Sequence, residues 1–313
     1  MLENIVTVDL PVDEQVVIKR QRIENGNKNK RIAIVTGIQG DELDGQYICY
    51  KLIKKLKENI NEVNGIVDVY PAINPLGIDS ITRGIPMFDL DMNRVFPGYS
   101  DGAMAEYVAA AVVKDIVGAD ICIDLHSSNE FIKEFPQVRI AENNKNLIPY
   151  AKLLNTDFIW ISESPTVLKA TLAYSLNQIG VPTLALEMGI GNRISIDYCD
   201  QILSGIFNLM NEIGIWNCET RITKEPVLST VGEVEVIHAR YSGIFIHSKA
   251  KMGNIEMGDH IGDIVDPAEG KILESIYAPF SGTMFSLREH PVVYQGVVIA
   301  RIMGGKDGKG RIV

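Results

Sequence analysis

No Cys-x-x-Cys spacing occurs in this sequence. Its four cysteines, Cys49, Cys122, Cys199 and Cys218, are scattered, and Cys122 sits inside an apolar strand pattern where a buried thiol is expected. A zinc–cysteine site or a disulfide framework is therefore not expected. No long basic run offsets the net charge of −10 (pI near 5.1), which argues against an extended phosphate-binding face and against nucleic acid as a partner. No segment stays apolar long enough to span a bilayer, and the N-terminal Met1-Leu-Glu-Asn-Ile-Val-Thr carries an acid where a signal peptide would carry lysines. A soluble, cytoplasmic protein without membrane partners is the expectation. Internal repeats and low-complexity tracts are also missing.

What is present is an ordinary globular composition. With 313 residues, 46% hydrophobic and 22% charged, the chain suits one large domain plus a smaller one. It is organised around Arg31-Ile-Ala-Ile-Val-Thr-Gly-Ile-Gln-Gly-Asp-Glu-Leu-Asp-Gly45. The β-branched run from Ile32 to Val35 reads as a strand covered on both faces, and Gly37, Gly40 and Gly45 let the following loop turn sharply near a ligand. Ala119 to Ser128 places His126 at a second strand end, and Thr183 to Gly189 places Glu187 at a third. In open α/β sheets ligands collect beyond such carboxyl ends, so the three can converge.

In chain order, Ile5 to Lys19 alternates as an edge strand or hairpin. Leu43 to Ile60 has helical spacing, and Gly65 to Ile73 is the next strand, which completes a βαβ unit. Asn74 to Ser100 breaks into a long proline- and glycine-rich loop. Its apolar Phe88, Leu90, Val95 and Phe96 suggest burial rather than disorder, and it carries Arg83 and Arg94, natural clamps for a carboxylate. The competing account pairs each arginine with Asp89 or Asp91 at the surface. Helices over 103–117, 146–154, 169–178 and 196–212 alternate with strands near Val138, at 157–161 and ending at Glu187. From Glu225 onwards short β-patterned runs are broken by glycines. The fold class is thus α/β: a doubly wound, mainly parallel sheet over residues 1–220, followed by a smaller all-β domain over 221–313.

The motifs Gly37-Ile-Gln-Gly-Asp-Glu42, Asn74-Pro-Leu-Gly77, Asp91-Met-Asn-Arg-Val-Phe-Pro-Gly98, Asp124-Leu-His126 and Glu187-Met-Gly189 occur in an order that resembles the succinylglutamate desuccinylase/aspartoacylase family, relatives of the zinc carboxypeptidases. The resemblance implies a zinc-carboxypeptidase-like sheet, a C-terminal β-domain and a Zn²⁺ cofactor whose ligands fall on Gln39, Glu42 and His126. It also implies a general base at Glu187, an arginine facing the scissile carbonyl at Arg83, and a carboxylate grip at Asn93 and Arg94. Position 39 departs from the pattern, because the family usually has histidine there. An amide oxygen is a harder and weaker donor for Zn²⁺ than imidazole, so metal affinity should fall or the preferred metal should shift. Asp41 is a second oxygen within the same loop. His238, His247, His260 and His290 read as surface or structural residues. The segment Ile276 to Phe285 faintly resembles biotinyl carriers, without their Met-Lys-Met hairpin.

Even without the family, a metal with an open position, a carboxylate base and an arginine clamp would hydrolyse an amide. The competing accounts are an arginine-paired Glu187 (with Arg193 or Arg94) and a core His126. Three functions stay open: a metal-dependent amidohydrolase acting on an N-acyl amino acid, a carboxypeptidase-like peptidase, and a non-catalytic small-carboxylate-binding protein. The partner expected in each case is a small molecule or peptide; whether the chain works alone or as a homo-oligomer is left open.

Overall fold

The computed structural model describes residues 1–162, 169–230, 234–248 and 251–304. The chain falls into two units. One is Met1–Ser127 with Pro136–Leu228, and the other is Ser128–Phe135 with Ser229–Val313.

The first unit starts with an antiparallel hairpin, β1 (Leu2–Asp9) and β2 (Gln15–Asn25). There follow β3 (Arg31–Val35), α1 (Asp44–Glu58), β4 (Gly65–Tyr70), α2 (Pro75–Ser80), α3 (Met104–Ile116), β5 (Ile121–Ser127), β6 (Ile132–Ala141), the single turn α4 (Ile148–Ala151), β7 (Phe158–Ser162), α5 (Leu172–Gln178), β8 (Thr183–Gly189) and α6 (Ile196–Glu212). Strands lie in the order β1-β2-β4-β3-β5-β8-β6, with β7 beside β6. The pairs β4/β3, β3/β5, β5/β8 and β6/β7 are parallel, while β2/β4 is antiparallel.

Side-chain alternation explains the two layers of helices. Successive residues of a strand point to opposite faces. Ile32 and Ile34 of β3 join Ile123, Leu125, Leu184 and Leu186 in one core with Leu52 of α1 and Ile206 of α6. Ala33 and Val35 join Cys122 in the other, with Val108 and Val112 of α3 and Leu172 of α5. Both faces of the parallel strands are buried, so the sequence reads there as near-continuous apolar runs.

One charged network crosses the sheet edge. Asp68 on β4 is fully buried and accepts two hydrogen bonds of 2.7 Å from Arg22 and one of 2.7 Å from Arg31. Arg20 brings its Nε to 3.5 Å from Asp68, donates to Asp115 at 2.8 and 2.9 Å, and bonds Glu3. Three guanidinium groups are thereby balanced by Asp68, Asp115 and Glu3.

The second unit contains β9 (Val227–Thr230, from Ser229 on), β10 (Val234–His238), β11 (Gly243–His247), β12 (Gly253–Ile255), β13 (His260–Asp266), β14 (Lys271–Tyr277), β15 (Gly282–Arg288), β16 (Val292–Val293) and β17 (Val298–Met303). Among the described residues, β10/β17, β11/β13, β11/β16, β12/β15, β13/β14 and β15/β17 pair antiparallel, around a core that includes Phe245, Ile264, Met284 and Ile302. The linear division at residues 220 and 221 leaves out one contribution to this unit. Ile132, Lys133 and Glu134 pair with Arg288, Leu287 and Ser286, and Arg301 bonds Glu134, so Ser128–Phe135 packs with the later strands.

Two local expectations change. The stretch 74–100 is not all loop. Asn74 accepts a hydrogen bond from the Gly77 amide at 2.9 Å and Pro75 fills the first helical position, so a short helix, α2, forms. Phe88 is 59% exposed rather than buried, whereas Phe96 is in the core and Leu90 and Val95 are half-buried. All four cysteines are free, and burial pushes the Cys49 thiol up to about 12. Among the described residues, no helix is long and apolar enough to cross a membrane.

Candidate functional site

The loop after β3 carries Gln39 and Glu42, and main-chain hydrogen bonds hold it from four sides. The Thr36 amide donates to Tyr70 O (3.0 Å), the Gly40 amide to Arg83 O (3.2 Å), and Gly37 O and Asp41 O accept from the amides of Asn74 and Asn192 (both 2.7 Å). Gly37 adopts φ +67°, a left-handed conformation that side chains disfavour. Gly40 packs against α2 so closely that a Cβ would lie 2.0 Å from the Gly77 carbonyl carbon. The glycines therefore allow the loop to lie flat on its neighbours and turn its polar side chains toward the strand ends.

Those side chains meet His126. Gln39 Oε1 and Glu42 Oε2 each lie 3.0 Å from His126 Nδ1. Glu42 Oε2 also accepts from the Ser127 amide at 3.1 Å, and Glu42 Oε1 accepts from Arg83 at 3.0 Å. The other ring nitrogen, His126 Nε2, is 3.0 Å from Asp124 Oδ1. That contact is close without being an aligned hydrogen bond, and neither oxygen of the fully buried Asp124 has a well-directed donor. Burial alone would lower the pKa of His126, but Asp124 and Glu42 more than offset it and hold the imidazole well above its ordinary range. Asp124 and His126 share a strand face because they are two residues apart.

Glu187 lies beside this trio. In the parallel β5/β8 ladder His126 pairs with Glu187, and both have the parity opposite to the core residues Leu125 and Leu186. Glu187 is ion-paired with Arg139 of β6, whose guanidinium lies 5.8 Å from the centre of the Trp160 ring. An arginine partner for Glu187 was one of the sequence alternatives, but the arginine is neither Arg193 nor Arg94.

The loop arginines form a second layer around Asp91. Asp91 Oδ1 accepts from Gln39 Nε2 (3.0 Å) and from the Asn93 amide (2.9 Å), while Asp91 Oδ2 accepts from Arg83 (3.3 Å) and lies 3.9 Å from Arg94. Arg83 thus bridges Glu42 and Asp91 with 42% of its side chain still exposed. Arg94 is also partly exposed and donates to Asn93 O at 2.8 Å. Asn93 is buried, and its side-chain oxygen accepts from the Leu172 amide at 2.9 Å, which directs its NH₂ group away from that contact. Asp41 is buried and lends positive-charge stabilisation to Arg83 from the same loop.

Sequence reasoning missed Asp124 as the partner of the His126 ring and Arg139 as the partner of Glu187. The period-two spacing of Asp124 and His126 was a readable signal. Arg139 carried none, because only the sheet order brings β6 next to β8. The remaining histidines belong to the second unit, where His260 is 2.9 Å from Asp263 and His290 stands edge-on to Phe131 at 5.2 Å.

The donor set suits a divalent cation. Once a cation displaces the ring proton, a carboxylate oxygen, an amide oxygen and a neutral imidazole nitrogen converge with one net negative charge, and Asp124 behind the ring is the kind of carboxylate that orients a ligating histidine. Among the described residues no three His, Cys, Asp or Glu side chains form a metal cluster, so the grouping depends on the glutamine.

Residues 28–213, more than half of the chain, match the family described as the succinylglutamate desuccinylase/aspartoacylase catalytic domain. The N-alpha-acetyl-L-2,4-diaminobutyric acid deacetylase of Halomonas elongata is 24% identical over 253 residues, covering 78% of this chain and 70% of that protein. Among solved structures, a succinylglutamate desuccinylase/aspartoacylase from Rhodobacter sphaeroides has a TM-score of 0.81 at 20% identity, covering 96% of this chain and 94% of that one. A product-bound ectoine utilization protein EutE (DoeB) from Ruegeria pomeroyi has a TM-score of 0.79 at 19% identity, covering 95% and 92%. These structures share the fold: a large, mainly parallel sheet with a C-terminal antiparallel β region. On the match over residues 28–213, the chain belongs to the succinylglutamate desuccinylase/aspartoacylase family.

Proposed function

We propose that this protein is a metal-dependent amidohydrolase that removes the acyl group from a small N-acylated amino acid. The observation that carries the reading is the meeting of Gln39 Oε1 and Glu42 Oε2 at His126 Nδ1, next to Glu187 on the paired strand. The Halomonas relative is by name a deacetylase of an N-acetylated amino acid, which supports the same reaction class.

Gln39, Glu42 and His126 would hold the cation, Zn²⁺ being the family's usual one. When bound, it supplies Lewis acidity that polarises an acyl carbonyl and makes water a better nucleophile. The chain's own residues do the rest. Arg94, with the NH₂ of Asn93, holds the substrate carboxylate and fixes the amide in place. Arg83 keeps its contact with Glu42 and offers further N–H groups to the oxygen that gains charge as the carbonyl is attacked. Glu187 accepts a proton from the attacking water. The new C–O bond forms, the C–N bond breaks, and Glu187 returns the proton to the departing amine. Arg139 holds the Glu187 carboxylate in its orientation through their ion pair.

A carboxylate-binding protein without turnover is the second reading, and one observation favours it: Glu42 and Glu187 each already carry an arginine counter-ion. The test is metal analysis of protein purified without chelator, followed by a screen of N-acyl amino acids and short peptides. Bound metal with turnover of N-acyl amino acids is expected. Turnover confined to peptide C-termini would replace this reading with a peptidase, and carboxylate binding without turnover would replace it with the second reading.

A further inference from the structure

The glutamine at position 39 raises a question of polarity: an amide has an acceptor end and a donor end, and only one of them can face His126. Asp91 decides it. A carboxylate only accepts, so the group facing Asp91 Oδ1 at 3.0 Å must be the Gln39 NH₂, and Oε1 is thereby left facing His126 Nδ1. Asp91 cannot easily turn away. Its Oδ1 also accepts the Asn93 amide at 2.9 Å, and its Oδ2 accepts Arg83 at 3.3 Å. Gln39 is itself almost fully buried, so its amide has no water-facing alternative orientation.

We infer that Asp91 is a positioning residue that turns this centre into an oxygen-rich one. It presents two oxygens and one nitrogen to a divalent cation, so the centre separates Zn²⁺ from Mn²⁺ far less than a centre with a second imidazole would. The chemistry follows from donor softness. Nitrogen donors favour zinc strongly, whereas carboxylate and carbonyl oxygens suit manganese comparatively well. Exchanging a neutral imidazole for a neutral amide keeps the charge of the centre and changes only this preference. The amide contributes its oxygen only while Asp91 holds the other end; with the amide reversed, a donor N–H would face the cation and the centre would lose a ligand.

This inference rests on the metal-centre reading above, and its test does not depend on turnover. Metal-free wild type, Gln39→His and Asp91→Asn are titrated with Zn²⁺ and with Mn²⁺ against a chromophoric chelator, and the Zn²⁺ forms are examined by X-ray absorption. Gln39→His should raise Zn²⁺ affinity by about tenfold or more and Mn²⁺ affinity by much less, with the absorption spectrum changing from one imidazole to two. Asp91→Asn should lower affinity for both cations by about 10- to 100-fold, the usual effect of losing a group that orients a ligand. If Asp91→Asn does not fold, Gln39→Met, which removes the inward oxygen and leaves Asp91 and its arginines in place, should lower both affinities instead. An unchanged Zn²⁺/Mn²⁺ ratio in Gln39→His, wild-type affinity in Asp91→Asn or Gln39→Met, or no cation uptake by the wild type would each overturn the inference. Hydrolysis of N-acyl amino acids with an unchanged ratio sinks the inference alone. The expected ratio without hydrolysis sinks the deacylase reading alone.

Discussion

Replacing Asp68 with Asn would remove the negative centre of the β2–β4 network while keeping its shape. The wild-type carboxylate is fully buried and accepts three hydrogen bonds of 2.7 Å, two from Arg22 and one from Arg31, with Arg20 Nε at 3.5 Å. Asparagine offers one acceptor oxygen and turns an NH₂ group toward a guanidinium, so it loses a charge and creates a donor–donor contact. Breaking a buried ion pair by removing one partner costs about 3–5 kcal/mol. At about 2–4 °C per kcal/mol for a domain of this size, the melting temperature should drop by roughly 6–20 °C. The pH dependence follows from the same geometry. Burial would raise the Asp68 pKa, but its bonds to Arg22 and Arg31 more than offset this and hold it below the ordinary value. A folded-state pKa that is depressed means stability fully present above the unfolded value of about 3.9 and lost as pH falls through the folded one. The gap between wild type and Asp68→Asn should therefore be full at pH 7 and shrink below about pH 3.9. Denaturant titrations followed by circular dichroism from pH 7 into acid measure it. A variant within about 1 kcal/mol of wild type at pH 7, or a gap that persists unchanged into acid, would refute the reasoning.

Three further outcomes are expected. Glu187→Gln should lower turnover of the N-acyl amino acid by about 10²- to 10⁴-fold while metal content, measured on the same preparation, stays at the wild-type level; loss of metal would make Glu187 a ligand. Asp124→Asn should weaken metal binding by about 10- to 100-fold, because the His126 ring loses the carboxylate 3.0 Å from its Nε2, and a chelator titration with wild-type affinity would contradict that role. Gly40→Ala should both destabilise the protein and weaken metal binding, since its Cβ would lie 2.0 Å from the Gly77 carbonyl carbon; thermal melts and metal titrations that match wild type would show that the loop can move aside.

The sheet was legible because its strands are buried on both faces. Ile32 to Val35, Ile121 to Ile123 and Leu184 to Leu186 are apolar runs, and each leads into the loop or residues that form the site. Long helices such as α6 were readable to the residue, because 17 residues give the apolar period room to declare itself. The short α2 was not, since six residues carry almost no period and only the Asn74-Pro75 start marks it. Phe88 misled because an aromatic on a loop looks the same in sequence whether it is buried or 59% exposed. The partners of the site residues were hardest to see. Glu187 and Arg139 are 48 positions apart and meet only through the order in which β8 and β6 are laid down, which local pattern does not encode.

Two of the three converging side chains are anchored by different kinds of group, which differ in the substitutions they tolerate. Glu42 is held by the Ser127 amide, a main-chain donor that every residue except proline supplies, so substitutions at position 127 leave its anchor intact. Gln39 is held by the Asp91 carboxylate, which accepts an N–H from an amide as readily as one from an imidazole. At position 39 an amide could therefore be exchanged for an imidazole in a single codon-level step while Asp91 keeps its hydrogen-bonding partner.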